Sequence, residues 1–581
     1  MLAYISSMQS AHALETQTPD DNENLRPEEV LVIANEASDD SMALARYYMK
    51  KRNIPQKNLF TVDFPNQKHR RPISHKSFQE KIVKPLQQFL EKTELKEKIL
   101  LLLTLYDVPY KVAGPSALAP KLKRNITKYQ NKLKEKLADP NANTKKIHHL
   151  RERIEKSKTE LKKIEPIWDA LLAQQHASAR KRAAQVLANH ASLDSELAWL
   201  FRRDVYGASA TKSTRLKAYF GRTANPYFSQ GMKFRAFRKR SKAAGLLEQN
   251  GMIYLSARLE GPSLEISKNL VDLAIQAEKN GPAGIGCFDA RRSTIGQTKS
   301  GNALGETWVR RAYIETHNAG FQTIFDEKKT LFEKGACPNT LFYWGWYALQ
   351  NYQDVFESHF AAGAFAVHTA SGEASDIRHF NPDKKNPWCA GLLAHGVAFC
   401  SGPISEPFLD AFPHADLFYP KLFQGWSAGE AYWASQSYLS WMMVMIGDPL
   451  YTPFSGKNSR THYTAGRIEL REVGEKSAPA FLSKNKQYDV LLLLKATSSI
   501  FKSPAHYKIT HFKTNQDKHF HLKALDNIKT RIIDNKQFLI LSGMAFETGD
   551  FNQQRGLELE IKIDLGRDGG EKILSQRFQL H

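Results

Sequence analysis

His368 and Ser371 stand three residues apart at the end of an apolar run over 364–368. A serine hydroxyl near an imidazole is a nucleophile with a candidate base, and Glu373 or Asp376 could orient the ring. Three residues on one turn is an awkward spacing for a direct Ser–His bond, so polar groups satisfied at a strand end are the plain alternative. Cys400 ends a neighbouring run with His395 close by. A thiolate activated by that ring would be a second nucleophile, and a small buried apolar side chain is its alternative. Asp107, Asp194, Arg258, Glu260, Glu406 and Asp448 fall in loops or at strand ends. Together they could line one crevice and hold a ligand or a cation. Singly, acids at such places cap helices and turns. Trp344, Trp346 and Tyr347 form an aromatic cluster suited to a sugar ring, a peptide side chain or core packing.

Other chemistries find no support. There is no His-Glu-x-x-His, no calcium-loop pattern and no Cys-x-x-Cys pair, so no metal site is expected. No glycine loop suits a phosphate, and no cofactor is expected. The four cysteines, Cys287, Cys337, Cys389 and Cys400, are too few for a disulfide scaffold. One or two bridges would fit an exported protein, and buried thiols would fit otherwise.

The elements that must position these residues alternate. Short apolar runs at 30–34, 59–62 and 99–103 read as buried strands, with amphipathic helices at 41–52 and 78–95 between them. That order implies a parallel sheet with helices on both faces. The rhythm resumes at 253–258 with a helix at 263–279. Strands follow at 284–288, 321–325, 341–344, 364–368 and 397–400, and helices at 304–317, 387–394 and 427–436. Between the two parts, 122–171 is charged and helical. Ile147, Leu150, Ile154, Ser157, Leu161, Ile164, Trp168 and Leu171 make a heptad seam, and Leu122, Ile126, Tyr129 and Leu133 a shorter one. The turn-like stretch 138–143 separates them, which predicts an inserted antiparallel helical hairpin. After Phe454 the alternation becomes that of half-buried antiparallel strands, as in a β-sandwich. The expected organisation is a leader remnant and linker over 1–28, an α/β part over 29–115, the hairpin over 116–190, a second α/β part over 191–455 and the sandwich over 456–581.

The charge belongs mostly to one segment. The chain of 581 residues carries a formal +22, and residues 121–250 hold 30 Lys+Arg against 11 Asp+Glu, a net of +19. An anionic polymer or lipid surface is therefore a partner for residues 121–250 alone, with a solvated coiled coil as the alternative. Phe234 and Phe237, interleaved with the bases of 233–242, make that stretch the better contact. The near-neutral remainder gives no reason to expect nucleic acid. The apolar run 441–446 is far short of the roughly 18 residues a spanning helix needs. Ala11-His12-Ala13 has the form of a signal-peptidase site without the basic and apolar stretch before it. Export, periplasmic or extracellular, is the expectation.

Several motifs, in order, resemble a known family. The run Leu101 to Pro109, then Asp194-Ser195-Glu196, Ala257-Arg258-Leu259-Glu260-Gly261-Pro262 and Ile446-Gly447-Asp448-Pro449-Leu450, is similar to segments of the gingipain-type cysteine peptidases. Tyr343 to Tyr347, Gly363 to His368 with Ser371 and Arg378, and Glu406-Pro407 resemble an uncharacterised, mostly exported bacterial family, itself a divergent relative of those peptidases. The resemblance covers 28–115 and 190–455. It implies a caspase-like α/β fold with its site at the carboxyl ends of the central strands, a peptidase-type hydrolase ancestry and a β-sandwich behind. In the peptidases a His-Gly after one strand and a Cys after the next form the dyad. The matching positions here are Trp344-Gly345 and His368-Thr369-Ala370-Ser371. The leading expectation is an exported protein that lacks the dyad and binds a peptide or glycan in the ancestral cleft. The rivals are a hydrolase using His368 and Ser371, and an envelope protein that grips anionic material through its hairpin.

Overall fold

The structure is a computed structural model. It describes residues 23–65, 71–113, 118–139, 143–173, 190–201, 223–247, 251–291, 301–347, 351–357 and 360–455, and beyond them the backbone of seven strands between 465 and 578. The Ala11-His12-Ala13 segment and the basic residues of 202–222 lie outside the described residues.

A ten-stranded sheet organises the α/β part. Its strands are β1 (Val30–Asn35), β2 (Leu59–Val62), β3 (Leu101–Leu105), β4 (Leu255–Leu259), β5 (Ile285–Asp289), β6 (Thr323–Asp326), β7 (Thr340–Gly345), β8 (Phe360–His368), β9 (Phe399–Pro403) and β10 (Met443–Gly447). The order across the sheet is β6-β5-β7-β8-β9-β10-β4-β3-β1-β2. Pairing is parallel from β6 to β9 and again from β4 to β2. β10 runs antiparallel to β9, from Pro403 opposite Met443 to Phe399 opposite Gly447. Burial on both faces explains the continuous apolar runs. In β1, Leu31 and Ile33 join one core, with Phe78, Ile82, Leu86 and Leu90. Val30, Val32 and Ala34 join the other, with Leu44 and Tyr48. The expected mixed α/β fold with helices on both faces is what forms.

Among the described residues the α-helices of seven residues or more are α1 (Asp39–Arg52), α2 (Lys84–Lys92), α3 (Leu118–Leu137), α4 (Thr144–Ala173), α5 (Phe234–Ala243), α6 (Leu264–Asn280), α7 (Gly301–Asn318), α8 (Trp388–Ala394), α9 (Ala415–Phe423) and α10 (Ala428–Ser435). α1 shows why its segment is helical. Ser38 caps the Ser41 amide, Asp39 and Asp40 open the first turn, Lys50 to Arg52 close the last, and Asn53 ends it at φ 55°. The expected single helix over 78–95 is instead a short helix (His75–Phe78), a π turn (Gln79–Val83) and α2. Pro85 lacks the N–H that would continue the regular pattern.

α3 and α4 pack as the expected hairpin, with Lys123 Nζ 2.7 Å from Glu165 and the Arg153 guanidinium 5.6 Å from the Tyr129 ring. The chain leaves toward it at Lys111–Ala113 and returns at His190–Ser192, and these two short strands pair antiparallel. The basic stretch 233–242 differs from expectation. It forms α5, with Phe234 and Phe237 in the core. Arg235 is paired with Glu29 at 2.7 Å, and Arg238 donates to the Ile99 carbonyl at 2.7 Å. Arg235 and Arg238 thus serve the interior, while Lys239, Arg240 and Lys242 of the same helix stay exposed.

The last strands form two antiparallel sheets. One is Ala465–Glu472, Gln487–Lys495, Lys536–Glu547 and Asn527–Ile533 in that order, and the other is Lys508–Thr514, Leu557–Asp564 and Glu571–Phe578. A disulfide joins Cys287 on β5 to Cys337, and Cys389 and Cys400 are buried without one. Among the described residues no helix is long and apolar enough to cross a membrane.

Candidate functional site

The loops after β3 and β8 are stitched together: the Tyr110 hydroxyl donates to the Ala374 carbonyl at 2.7 Å and Lys111 Nζ to that of Ser375 at 2.8 Å. The carboxyl ends of the two parallel groups therefore open on one edge, where such sheets bind ligands.

Four of the predicted residues converge there. Arg258, wholly buried at the end of β4, donates to Asp194 Oδ2 at 3.0 Å and Glu260 Oε2 at 2.7 Å. It also reaches the carbonyls of Val108 at 3.1 Å and Pro109 at 2.9 Å. Arg378, from the loop after β8, donates to Asp107 at 2.9 Å and Glu260 at 3.0 Å and lies 3.3 Å over the Tyr106 ring. Asp107 sits in the left-handed region at φ 61° and accepts from Ser38 at 2.7 Å. Burial raises the Asp194 pKa above the usual carboxylate range, and the Arg258 charge counters only part of it. For Arg378, burial opposes the charge, but Glu260 and Asp107 outweigh it and raise the pKa. Asp194, Glu260 and Arg258 are sealed, whereas the side chains of Arg378 and Asp107 remain 17% and 27% exposed. The accessible part of the network is that last pair.

Asp448 stands elsewhere. It accepts from Tyr48 at 2.9 Å, pairs with Arg52 at 2.5 Å and caps the Leu450 amide at 3.0 Å. Arg52 ends α1, which has carried the chain back to the amino ends of the strands, so Asp448 is a structural residue of the opposite edge.

His368 and Ser371 do not form the expected pair. The His368 ring is buried, 3.7 Å from the Trp388 ring at an interplanar angle of 7°, with Nδ1 3.0 Å from the Tyr343 hydroxyl. Burial holds its pKa well below the usual histidine range. Ser371 donates instead to Glu406 Oε2 at 2.5 Å. The expected orienters are engaged too: Glu373 accepts from the Trp388 amide at 2.7 Å, and Asp376 faces His379 at 3.1 Å. Strand-end spacing sets proximity of backbones, and the turn after Thr369 sends the two side chains to different partners.

Trp344 and Trp346 are 2% and 7% exposed, so they belong to the interior, while Tyr347 is 39% exposed beside the Arg291 guanidinium. Trp344 Nε1 donates to Thr369 Oγ1 at 3.2 Å, and the Thr369 amide donates to the Gly345 carbonyl at 2.7 Å. The ends of two neighbouring strands thus meet as an indole and a hydroxyl. Cys400 does not meet His395, whose Nδ1 faces the Gly391 carbonyl at 2.7 Å. The sulfur of Cys400 lies 2.6 Å from that of Cys389.

Asp289, at the end of β5, escaped the sequence reading although it follows an expected strand directly. It is 1% exposed and neither carboxyl oxygen has a well-aligned hydrogen bond. Burial, then Asp326, push its pKa up to about 8, with the Phe332 backbone offsetting part and Glu306 adding to it. Among the described residues no group of three or more potential ligands could hold a metal ion.

No protein-family model matches the sequence. No curated protein matches it either. A solved structure described as "Structure of Protease" aligns over 96% of this chain and 98% of its own at 9% identity and a TM-score of 0.30, a likeness too slight to carry an argument about fold or function.

Proposed function

We propose that the chain is a binding protein on a peptidase-like α/β frame, without a hydrolytic centre, that takes a peptide or glycan at the carboxyl edge of the sheet. One observation carries the reading: Trp344 stands at the matching His-Gly position, and its Nε1 donates to Thr369 Oγ1, one of the four residues 368–371 among which the nucleophile would fall and none of which is a cysteine. An indole cannot take a proton from a nucleophile, and a hydroxyl that accepts from it has no base. His368 does not substitute, being sealed against Trp388 with its Nδ1 on the Tyr343 hydroxyl. What the edge offers is recognition: Arg378 with Asp107, and Ser371 with Glu406, present charged and hydroxyl groups in adjoining loops. The test is binding of the full chain to arrayed peptides and oligosaccharides, compared with Arg378→Ala. Saturable binding lost in the variant is expected. Labelling by a serine-directed phosphonate, abolished by Ser371→Ala, would overturn the reading in favour of a hydrolase in which Glu406 takes the serine proton.

A second surface supports an additional role at an anionic polymer or lipid surface. Lys132, Lys136, Lys145, Lys146 and His149, with one acid, Glu135, line a cleft of about 700 Å³ at the tip of the α3–α4 hairpin. Leu137, 56% exposed, stands beside them. A mostly basic cleft beside one exposed leucine suits anionic headgroups. Salt-sensitive sedimentation with anionic vesicles, lost on removing residues 121–185, is expected. Equal binding without the hairpin would remove this reading and leave the first untouched. Placement outside the cytoplasm fits the Cys287–Cys337 bridge, since disulfides persist in oxidising compartments.

A further inference from the structure

We propose that Cys389 and Cys400 are joined as a second disulfide, made while the chain folds and sealed when α8 closes on β9. Their sulfurs are 2.6 Å apart, far inside non-bonded contact. The approach is built by the backbone and not by a chance rotamer. Cys389 lies in the first turn of α8, where its amide donates to the Glu373 carbonyl at 3.1 Å. Cys400 lies in β9, opposite Ala366 on one side and Ile446 on the other. The Cys389 sulfur also occupies the space beside Gly402, 2.9 Å from where a Cβ would stand, a place that only a residue without a Cβ leaves open. The two cysteines are 1% and 0% exposed.

Burial fixes when the bond can form. Exchange needs a thiolate, and burial, then Cys400, raise the Cys389 thiol well above its ordinary value. In the folded protein neither an oxidant nor a reductant reaches the pair. The reaction belongs to the open chain: the two thiols exchange with the disulfide of a thiol oxidant, the S–S bond forms, and the oxidant leaves as two thiols carrying the two protons and two electrons. The same conditions make the Cys287–Cys337 bridge. Once formed, the bond ties α8 to β9 and anchors the downstream end of the loop that carries Ser371 and Arg378. Trp388, against which His368 stacks, is the first residue of that anchored helix.

The test is peptide mapping of the full chain, produced by export to an oxidising compartment, unfolded in denaturant with an alkylating agent and digested without reductant. No Lys or Arg lies between the pair, so one tryptic peptide, 386–421, carries both cysteines. The expected result is that peptide unalkylated and lighter by two hydrogens, alongside a cross-linked pair of peptides holding Cys287 and Cys337. Two alkylated thiols in 386–421 beside an intact Cys287–Cys337 link would overturn the proposal, as would any mixed pairing. A Cys287→Ala/Cys337→Ala variant gives an independent reading: reductant added during refolding should still lower its melting temperature, and an unchanged temperature counts against the bridge.

Discussion

Trp344 Nε1 and Thr369 Oγ1 meet at 3.2 Å, which closes the ends of two neighbouring parallel strands with a bond between two buried groups. Neither group finds water there, so removing one partner strands the other. Trp344→Phe should cost about 1–2 kcal/mol in urea unfolding. The double variant Trp344→Phe/Thr369→Val should recover much of it, because no orphaned polar group remains. Additive losses would show that the hydrogen bond is not what couples the two positions.

Arg258 and Arg378 share Glu260 but differ in burial, and this predicts an order of effects. Arg258→Met leaves the buried Asp194 without its cation and Glu260 with Arg378 alone, and should cost roughly 3–5 kcal/mol. Arg378→Met, at a partly exposed site, should cost about 1 kcal/mol while removing ligand binding. Denaturation and binding measured on both variants check the order. Equal destabilisation would mean that Arg378 is as structural as Arg258.

Much of the frame was legible. Leu101–Leu105 is buried on both faces and reads as a continuous apolar run, and the seam through Ile147 and Ile154 marks the hairpin. The reversed direction of β10 was not legible, because Met443–Gly447 has the same apolar character whichever way it runs. Nor was the fate of the bases in α5: Arg235 and Arg238 count as surface charge until Glu29 and the Ile99 carbonyl are brought beside them. Of the six residues expected to line one crevice, Asp107, Asp194, Arg258 and Glu260 converge, whereas Asp448, also at a strand end, pairs with Arg52 at the other edge, because strand ends alone do not tell one edge from the other. The partners of His368 and Ser371 were not legible, since spacing along a chain does not say where side chains turn after a strand stops.

Buried neutral histidines should make the fold acid-sensitive. Burial lowers His368 well below its ordinary pKa and takes His414 down to about 4. A base with a depressed folded pKa stays neutral in the native state while the unfolded chain gains a proton below ~6.5. Stability is therefore full above that pH and falls as pH drops below it, for His414 levelling off near about 4. Each such group should account for about 2 kcal/mol between ~pH 6.5 and ~pH 5. His414→Gln should show a shallower loss than the parent over that interval. Parallel stability–pH curves would exclude His414 as a contributor.

Asp289 predicts the opposite slope. Its folded pKa of about 8 stands far above the ordinary carboxylate value, because burial and Asp326 disfavour the charge. In the unfolded chain the group ionises near ~4, so between there and about pH 8 the native state holds a proton that the unfolded state has lost. Its contribution to stability is complete below the lower value and fades as pH rises toward the upper one. Asp289→Asn keeps the shape of the protonated acid and cannot ionise. It should match the parent near ~pH 4 and exceed it by on the order of 2 kcal/mol near ~pH 8, a discounted figure because relaxation and water entry soften the full shift. Urea unfolding at both pH values measures the difference. A variant less stable than the parent at the higher pH would mean that the carboxylate is ionised and held by a partner, and Asp289 would then be a charged member of the edge.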